Sequence, residues 1–300
     1  MLTQPLIRKI CVIGERGVVS QRLQNKLATV DFCEVSVLRT ADVLAMDDCS
    51  ALAAYDVIVL ATLEYASPSI VSKLPLSVRV LDVSPAFRVD PHWVYGLAEL
   101  PGAKQRITAA SRVANPGCFA TAAILLLAPL IQAKLLSPGA PVYLDAAGGF
   151  STGGSVMAKR VAEGLLHSEA LYSLTREHLH IAEIKQACGL TGLVWFTPKI
   201  VHTVRGIRMQ VPLFGLDKEE VLATYARAYE NTLIEVVGNV FSRIAVDFWS
   251  NRPGACLHVI EQEGGCLAIC SRDNLGKGAV DSAFENVQLM LARNEDTAIQ

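Results

Sequence analysis

The sequence predicts an α/β fold: a doubly wound parallel sheet followed by a second, α+β domain. Three observations point there. The first part of the chain alternates short apolar strand patterns with amphipathic helices, and beyond Ala140 the strands lengthen and acquire a period of two. The chain also has 300 residues that are 51% hydrophobic, enough for two cores.

In order, strand patterns run Lys9 to Ile13, Glu34 to Leu38, Val57 to Ala61 and Arg79 to Val83, with a helix expected from about Val18 to Ala28. Parallel pairs need crossovers, which are nearly always right-handed, so these elements assemble most simply as one nucleotide-binding sheet of the Rossmann type. The apolar run Ala122 to Ala128 is too short to span a membrane, is followed by Pro129, and reads as a buried helix. Past it, Val142 to Ala146 and the alternation Ile207, Met209, Val211, Leu213 predict half-buried strands. Asp217 and Glu220 form a capping-box-like pair ahead of Val221, Leu222, Tyr225 and Tyr229, and Gly264-Gly265 separates two further strands. Val280, Ala283, Phe284, Val287 and Leu291 fall at helical spacing, giving a last helix that returns to the first domain. The expected division is therefore 1–138 with 273–300 for the first domain and 139–272 for the second.

Composition narrows the function. Lys+Arg 27 against Asp+Glu 29 offers no field for nucleic acid, and there is no basic run. Eight scattered cysteines lack the paired spacing of a zinc site, so no metal is expected, and most should be reduced and structural. The chain passes from Met1 through Arg8 into its first strand without a signal-peptide pattern, so a cytoplasmic protein with no membrane association is expected.

Two segments carry chemistry. Gly14-Glu15-Arg16-Gly17-Val18-Val19-Ser20 follows the first strand as a glycine turn whose backbone amides, at a helix start, suit a pyrophosphate. Arg39, after the second strand, stands where an acidic residue would hold the ribose of NAD, and favours NADP, with NAD as the alternative. Ala114-Asn115-Pro116-Gly117-Cys118-Phe119-Ala120-Thr121 leads straight into the apolar helix. Cys118 therefore sits at a helix start, where the positive end of the dipole favours thiolate and free amides can hold an oxyanion. Further on comes His178-Leu179-His180-Ile181-Ala182-Glu183, in which Glu183 is spaced to orient the His178 imidazole across little more than one turn.

In this order the motifs resemble the N-acetyl-gamma-glutamyl-phosphate reductase family, shorter variety, over nearly the whole chain. The resemblance rests also on Leu81-Asp82-Val83-Ser84-Pro85-Ala86-Phe87-Arg88, Val94-Tyr95-Gly96-Leu97-Ala98-Glu99-Leu100, Gly149-Phe150-Ser151-Thr152-Gly153-Gly154, Arg205-Gly206-Ile207 and Asp273-Asn274-Leu275-Gly276-Lys277-Gly278-Ala279. Ser20, Gly148, Thr152, Ser155 and Ala182 depart from the family pattern, Ser155 standing where a basic residue is common. The resemblance implies reduction of N-acetyl-glutamyl phosphate by NADPH to N-acetyl-glutamate semialdehyde in arginine biosynthesis, by a homodimer or homotetramer. It implies Cys118 as nucleophile, His178 as acid/base and Glu183 as its carboxylate. Cofactor contacts are expected at Gly14, Arg16, Gly17, Val18, Arg39, Ser84, Gly153 and Asn274. Substrate contacts are expected at Asn115 and among Arg88, Arg112, Arg205 and Arg208, because a planar guanidinium matches phosphate or carboxylate. Alternatives are another acyl phosphate, aspartyl or carrier-bound; a cysteine–histidine hydrolase without hydride transfer; and a catalytically weak cofactor-binding paralogue.

Overall fold

A computed structural model describes residues 7–165, 168–173, 178–238 and 242–296, and divides them between two compact units, 1–116 with 279–300 and 117–278. Glu177 lies outside the described residues, as does the side chain of Ser155.

In the first unit the expected doubly wound sheet is present. Strands β1 (Arg8–Ile13), β2 (Cys33–Leu38), β3 (Val57–Leu60), β4 (Val80–Asp82), β5 (Val94–Tyr95) and β6 (Arg112–Ala114) form a parallel sheet in the order β2-β1-β3-β4-β6-β5. Because side chains alternate along a strand, Ile10 and Val12 enter one core and Cys11 and Ile13 another. The first core lies under α1 (Val18–Leu27), the later helix Ala103–Ala109 and the C-terminal helix Asp281–Asp296; the second lies under α2 (Thr40–Ala45) and α3 (Ala66–Val71). The C-terminal helix returns to this unit through Ala283, Val287, Met290 and Leu291, all buried, close to its expected face.

The second unit holds a mixed sheet. With the helix Ala103–Ala109 counted as α4, it opens with α5 (Cys118–Gln132), then β7 (Val142–Gly149), α6 (Gly154–Ala162), β8 (Ala170–Leu171), α7 (Leu179–Cys188), β9 (Val194–Val201), β10 (Ile207–Phe214), α8 (Lys218–Ala228), β11 (Ile234–Val237), β12 (Ala255–Gln262) and β13 (Gly265–Arg272). The sheet order is β11-β12-β13-β10-β7-β9-β8, with β7–β9 and β11–β12 parallel and the other pairs antiparallel. The expected boundary at 138/139 falls inside this unit. The reason is α5, buried at every position from Phe119 to Leu130, which packs against β10, β13, α7 and α8.

Helix α5 contains Pro129, which has no N–H for the carbonyl of Leu125. The Tyr229 hydroxyl donates to that carbonyl at 2.5 Å, and Tyr225 donates to Leu126 O at 2.7 Å. Tyr229→Phe should therefore lower stability by about 1–2 kcal/mol, read as a fall in the denaturation midpoint with unchanged slope.

On the opposite face of the sheet, register places Tyr143 beside Trp195, and Asp145 beside Gln210 on the strand that ends in Phe214. These three aromatics are 44%, 61% and 83% exposed, and the same face carries the hydrogen-bonded group Asp145, Lys199 and Gln210. Among the described residues no helix is long and apolar enough to cross a membrane.

Candidate active site

Cys118 is the first residue of α5. Its N-cap, Gly117, is extended (φ −73°, ψ 151°) and no side chain caps the helix. The turn is instead held from outside. The Gly117 N–H donates to Glu183 Oε1 at 2.6 Å, while Thr121 N–H and Oγ1 both donate to Gly117 O at 2.9 Å. Glu183 is 2% exposed, so its carboxylate is a buried, charge-assisted acceptor. Here the structure corrects the sequence reading: the recorded hydrogen bond of Glu183 goes to the backbone beside the nucleophile, not to His178. Residue 178 is the extended N-cap of α7, so the pair never shares a helical face.

Cys118 is half-buried, as is Cys33 on β2, whereas the other six cysteines are buried, and of the two only Cys118 stands at a helix start. Burial pushes the thiols of Cys11, Cys188, Cys256 and Cys270 up to about 12, which makes them inert. Gly278 borders the nucleophile: a Cβ there would lie 3.3 Å from Cys118 Cβ and 3.2 Å from a guanidinium nitrogen of fully buried Arg272.

His178 caps α7 with its side chain, Nδ1 accepting from His180 N–H at 3.2 Å. Its ring lies among Tyr172 (5.7 Å between centroids), Phe196 (4.9 Å) and His180 (4.7 Å), and His180 in turn lies 6.1 Å from Phe119, the residue after the nucleophile. Burial lowers the His178 pKa to about 4, so the imidazole is neutral at pH 7. Tyr172, which the sequence reading missed, joins the two parts: its ring meets His178, and its hydroxyl is pushed well above its ordinary range by burial and then by Cys118. It stands in an irregular segment between β8 and α7, without periodicity to mark it.

The other expected residues divide. Arg205 is bound to Asp273, Nε to Oδ1 at 3.0 Å and Nη2 to Oδ2, while Asn251 N–H and Leu275 N–H also donate to that carboxylate. Asn274 accepts from Gly206 N–H and donates to Ser151 Oγ, both at 2.9 Å, so its amide fastens the loop after β7. Arg208 donates to Ile244 O, and Gly153 is the exposed N-cap of α6.

In the first unit, Gly14, Gly17, Ser84, Arg88 and Asn115 all lie beyond the carboxyl ends of parallel strands, where such sheets bind ligands. Gly14 has φ +113°; Gly17 caps α1 with no side-chain bond, leaving the helix amides for an anion; Val18 opens the helix, exposed. Buried Ser20 donates its hydroxyl to Gly14 O, which explains how serine serves at this turn. Arg16 is exposed beside Glu15, and Arg39 is paired with Asp42 by two bonds of 2.8 and 2.7 Å. Ser84 donates to Asp82 Oδ2, and Ser67 to Oδ1. Arg88 donates to the carbonyls of Asn115 and Val83. The Asn115 amide is spent within its own unit, on Ala279 O and on Asn286. Arg112 leaves the candidate set: it opens β6 at the amino edge, where its guanidinium serves the carbonyls of Val78 and Ser111.

Residues 118–274 match the family described as semialdehyde dehydrogenase, dimerisation domain, which defines the class of the chain: a two-unit protein of the semialdehyde dehydrogenase type. Solved structures share the fold. A probable aspartate-semialdehyde dehydrogenase from Pseudomonas aeruginosa superposes with TM-score 0.73 at 19% identity, covering 96% of this chain and 99% of that one. Aspartate semialdehyde dehydrogenase with NADP from Candida albicans gives 0.71 at 13% identity, covering 96% and 99%. Among curated relatives, the N-acetyl-gamma-glutamyl-phosphate reductase of Salinispora arenicola is 37% identical over 276 residues, 86% of this chain and 81% of that protein. That of Brucella anthropi is 33% identical over 307, covering 95% and 99%. The chain belongs to the N-acetyl-gamma-glutamyl-phosphate reductase family.

Because Glu183 holds the Gly117 turn, Glu183→Ala should leave a buried N–H unpaired, at a cost of about 2 kcal/mol. The Cys118 thiol should also be displaced enough to slow turnover up to about 10²-fold. Glu183→Gln, which keeps an acceptor, should recover most of the stability. Thermal melts and the rate of Cys118 alkylation by iodoacetamide check both.

Proposed function

We propose that the protein reduces N-acetyl-glutamyl 5-phosphate to N-acetyl-glutamate 5-semialdehyde and phosphate, with NADPH as reductant, through a thioester on Cys118, as a step of arginine biosynthesis in the cytoplasm. The observation that carries this reading is the partly exposed cysteine at an uncapped helix start, its turn fixed by a buried carboxylate. The helix end favours the thiolate, which attacks the acyl carbon as phosphate departs.

A nicotinamide cofactor, when bound, supplies the hydride that reduces the thioester. The first unit fits such a group: the α1 start has free amides and Gly17 has open space where a side chain would be. NADP is favoured over NAD because Arg39 is the residue after β2 and no carboxylate occupies that position. The open sheet face carrying Tyr143, Trp195 and Phe214 is the surface on which we place self-association, as homodimer or homotetramer, in keeping with the dimerisation-domain match. Eight free cysteines are in keeping with a reducing compartment.

The test runs the reaction in reverse, with N-acetyl-glutamate semialdehyde, phosphate and NADP, and follows nicotinamide absorbance. Reduction of NADP by the wild type supports the assignment; its absence alongside activity on aspartate semialdehyde would move the substrate to aspartyl phosphate.

A further inference from the structure

Where β3 and β4 end, one buried carboxylate ties together the segments that follow them. Asp82, the last residue of β4, is fully buried. Ser67 on α3 donates its hydroxyl to Oδ1 at 2.8 Å, Ser84 donates its hydroxyl to Oδ2 at 2.7 Å, and the Ser84 N–H adds a third bond at 3.3 Å. Burial raises the Asp82 pKa, while these donors and the Arg88 charge oppose that shift and favour the ionised form. A carboxylate has no hydrogen to give, so the direction of every bond to it is set.

That direction carries outward to Thr62. The hydrogen of the Ser67 hydroxyl goes to Asp82, so in its 2.8 Å contact with Thr62 the Ser67 oxygen can only accept and Thr62 must donate. Leu63 O, 3.4 Å from the same hydroxyl, is likewise an acceptor. The Ser84 hydroxyl has also given its hydrogen, to Asp82, and accepts from the Ala86 N–H. Thr62 is half-buried, two residues beyond β3, and its backbone nitrogen lies 3.6 Å from the point that a Gly14 Cβ would occupy, so it borders the glycine turn. What its side chain offers there is an oxygen with lone pairs and a hydrogen already spent.

We propose that Thr62 Oγ1 accepts a hydrogen bond from a ribose hydroxyl of the nicotinamide dinucleotide, and so reads the sugar rather than the phosphates. The proposal deepens the cofactor reading above and rests on it. A dinucleotide brings two kinds of polar group to a sheet edge, phosphate oxygens that accept and hydroxyl or amino groups that donate. The glycine turn and the free amides at the α1 start suit the phosphates. An acceptor backed by a buried carboxylate is unfavourable for an anion and suits a donor. Among the donors, the ribose hydroxyls are bonded nearest the pyrophosphate, and Thr62 borders the turn that suits the pyrophosphate; the amino groups of the bases lie farther along the molecule.

The test measures binding by titration calorimetry of the full chain with NADP, without turnover. Thr62→Val, which replaces the hydroxyl by a methyl of similar size, should weaken NADP binding about tenfold, and Thr62→Ser, which keeps the oxygen, should stay within about threefold of wild type. Two analogues isolate the partner, one lacking the hydroxyls of the nicotinamide ribose and one lacking the 3′-hydroxyl of the adenosine ribose. Wild type should bind one of them about tenfold more weakly than NADP, and with that analogue the Thr62→Val penalty should vanish, because one bond cannot be lost twice. Whichever analogue does so identifies the ribose. Unchanged NADP affinity in Thr62→Val, folded by circular dichroism, would overturn the proposal, as would a penalty that survives with both analogues. A wild type that binds both analogues as tightly as NADP would overturn it without any variant. Failure of the cofactor reading is seen separately, as a wild type that binds no NADP, and takes the proposal with it.

Discussion

Cys118→Ala is expected to reduce turnover by about 10⁴-fold or more, because removing a nucleophile costs the whole covalent path and not a fraction of it. Cys118→Ser should fail nearly as completely: an alcohol at this helix start ionises far less readily than a thiol, so the dipole that produces thiolate has little to act on. Both variants should fold, since residue 118 is only half-buried and the Gly117 turn is held by Glu183 and Thr121 through backbone atoms. The measurement is the reverse assay together with mass spectrometry of protein quenched during turnover. A mass increment matching the acyl group should appear on wild type and be absent from both variants. A serine variant with full activity would end the covalent mechanism.

Gly14→Ala should be the most damaging small substitution in the first unit. With φ +113°, this residue occupies backbone space that L side chains rarely enter, and an added Cβ would run into the Ala61 carbonyl. Ala61 donates its own N–H to Ile13 O at 2.9 Å, so relief of the clash must part β1 from β3 at the ends that form the ligand edge. Strain and displaced backbone together should cost about 3 kcal/mol or more. The rise in melting temperature that NADP gives the wild type should disappear. Gly17→Ala is the control: its Cβ would meet nothing nearer than Ser20 Cβ at 3.9 Å, so stability should change by less than about 1 kcal/mol.

Much of this arrangement is legible before any coordinates. The strands β1, β3 and β4 declare themselves because both faces of a parallel sheet are buried there, and the Cys118 helix start is announced by Pro116-Gly117 ahead of an apolar run. The errors have physical causes. Helix α5 follows β6 so closely that it reads as the next crossover of the first sheet; only its burial on all sides shows that it belongs among β10, β13, α7 and α8. Arg112 looked like an anion site because a sequence does not say which end of a strand a residue occupies relative to the ligand edge, and two positions decide it here. Glu183 was assigned to His178 by local spacing, whereas its recorded partner is 66 residues away, a distance that no periodicity encodes. Tyr172 carried no signal at all.

The Glu183 bond makes α7 a lever with two loads. At its first turn it presents His178 and His180; little more than one turn along, the same rigid rod grips the peptide plane beside the reactive sulfur. Loss of a single residue at Ile181 or Ala182 would rotate everything beyond it by about 100° about the helix axis, turning the carboxylate away while leaving the imidazoles in place. Length between these positions is thus constrained more tightly than side-chain identity, and the segment should tolerate many exchanges but no insertion or deletion.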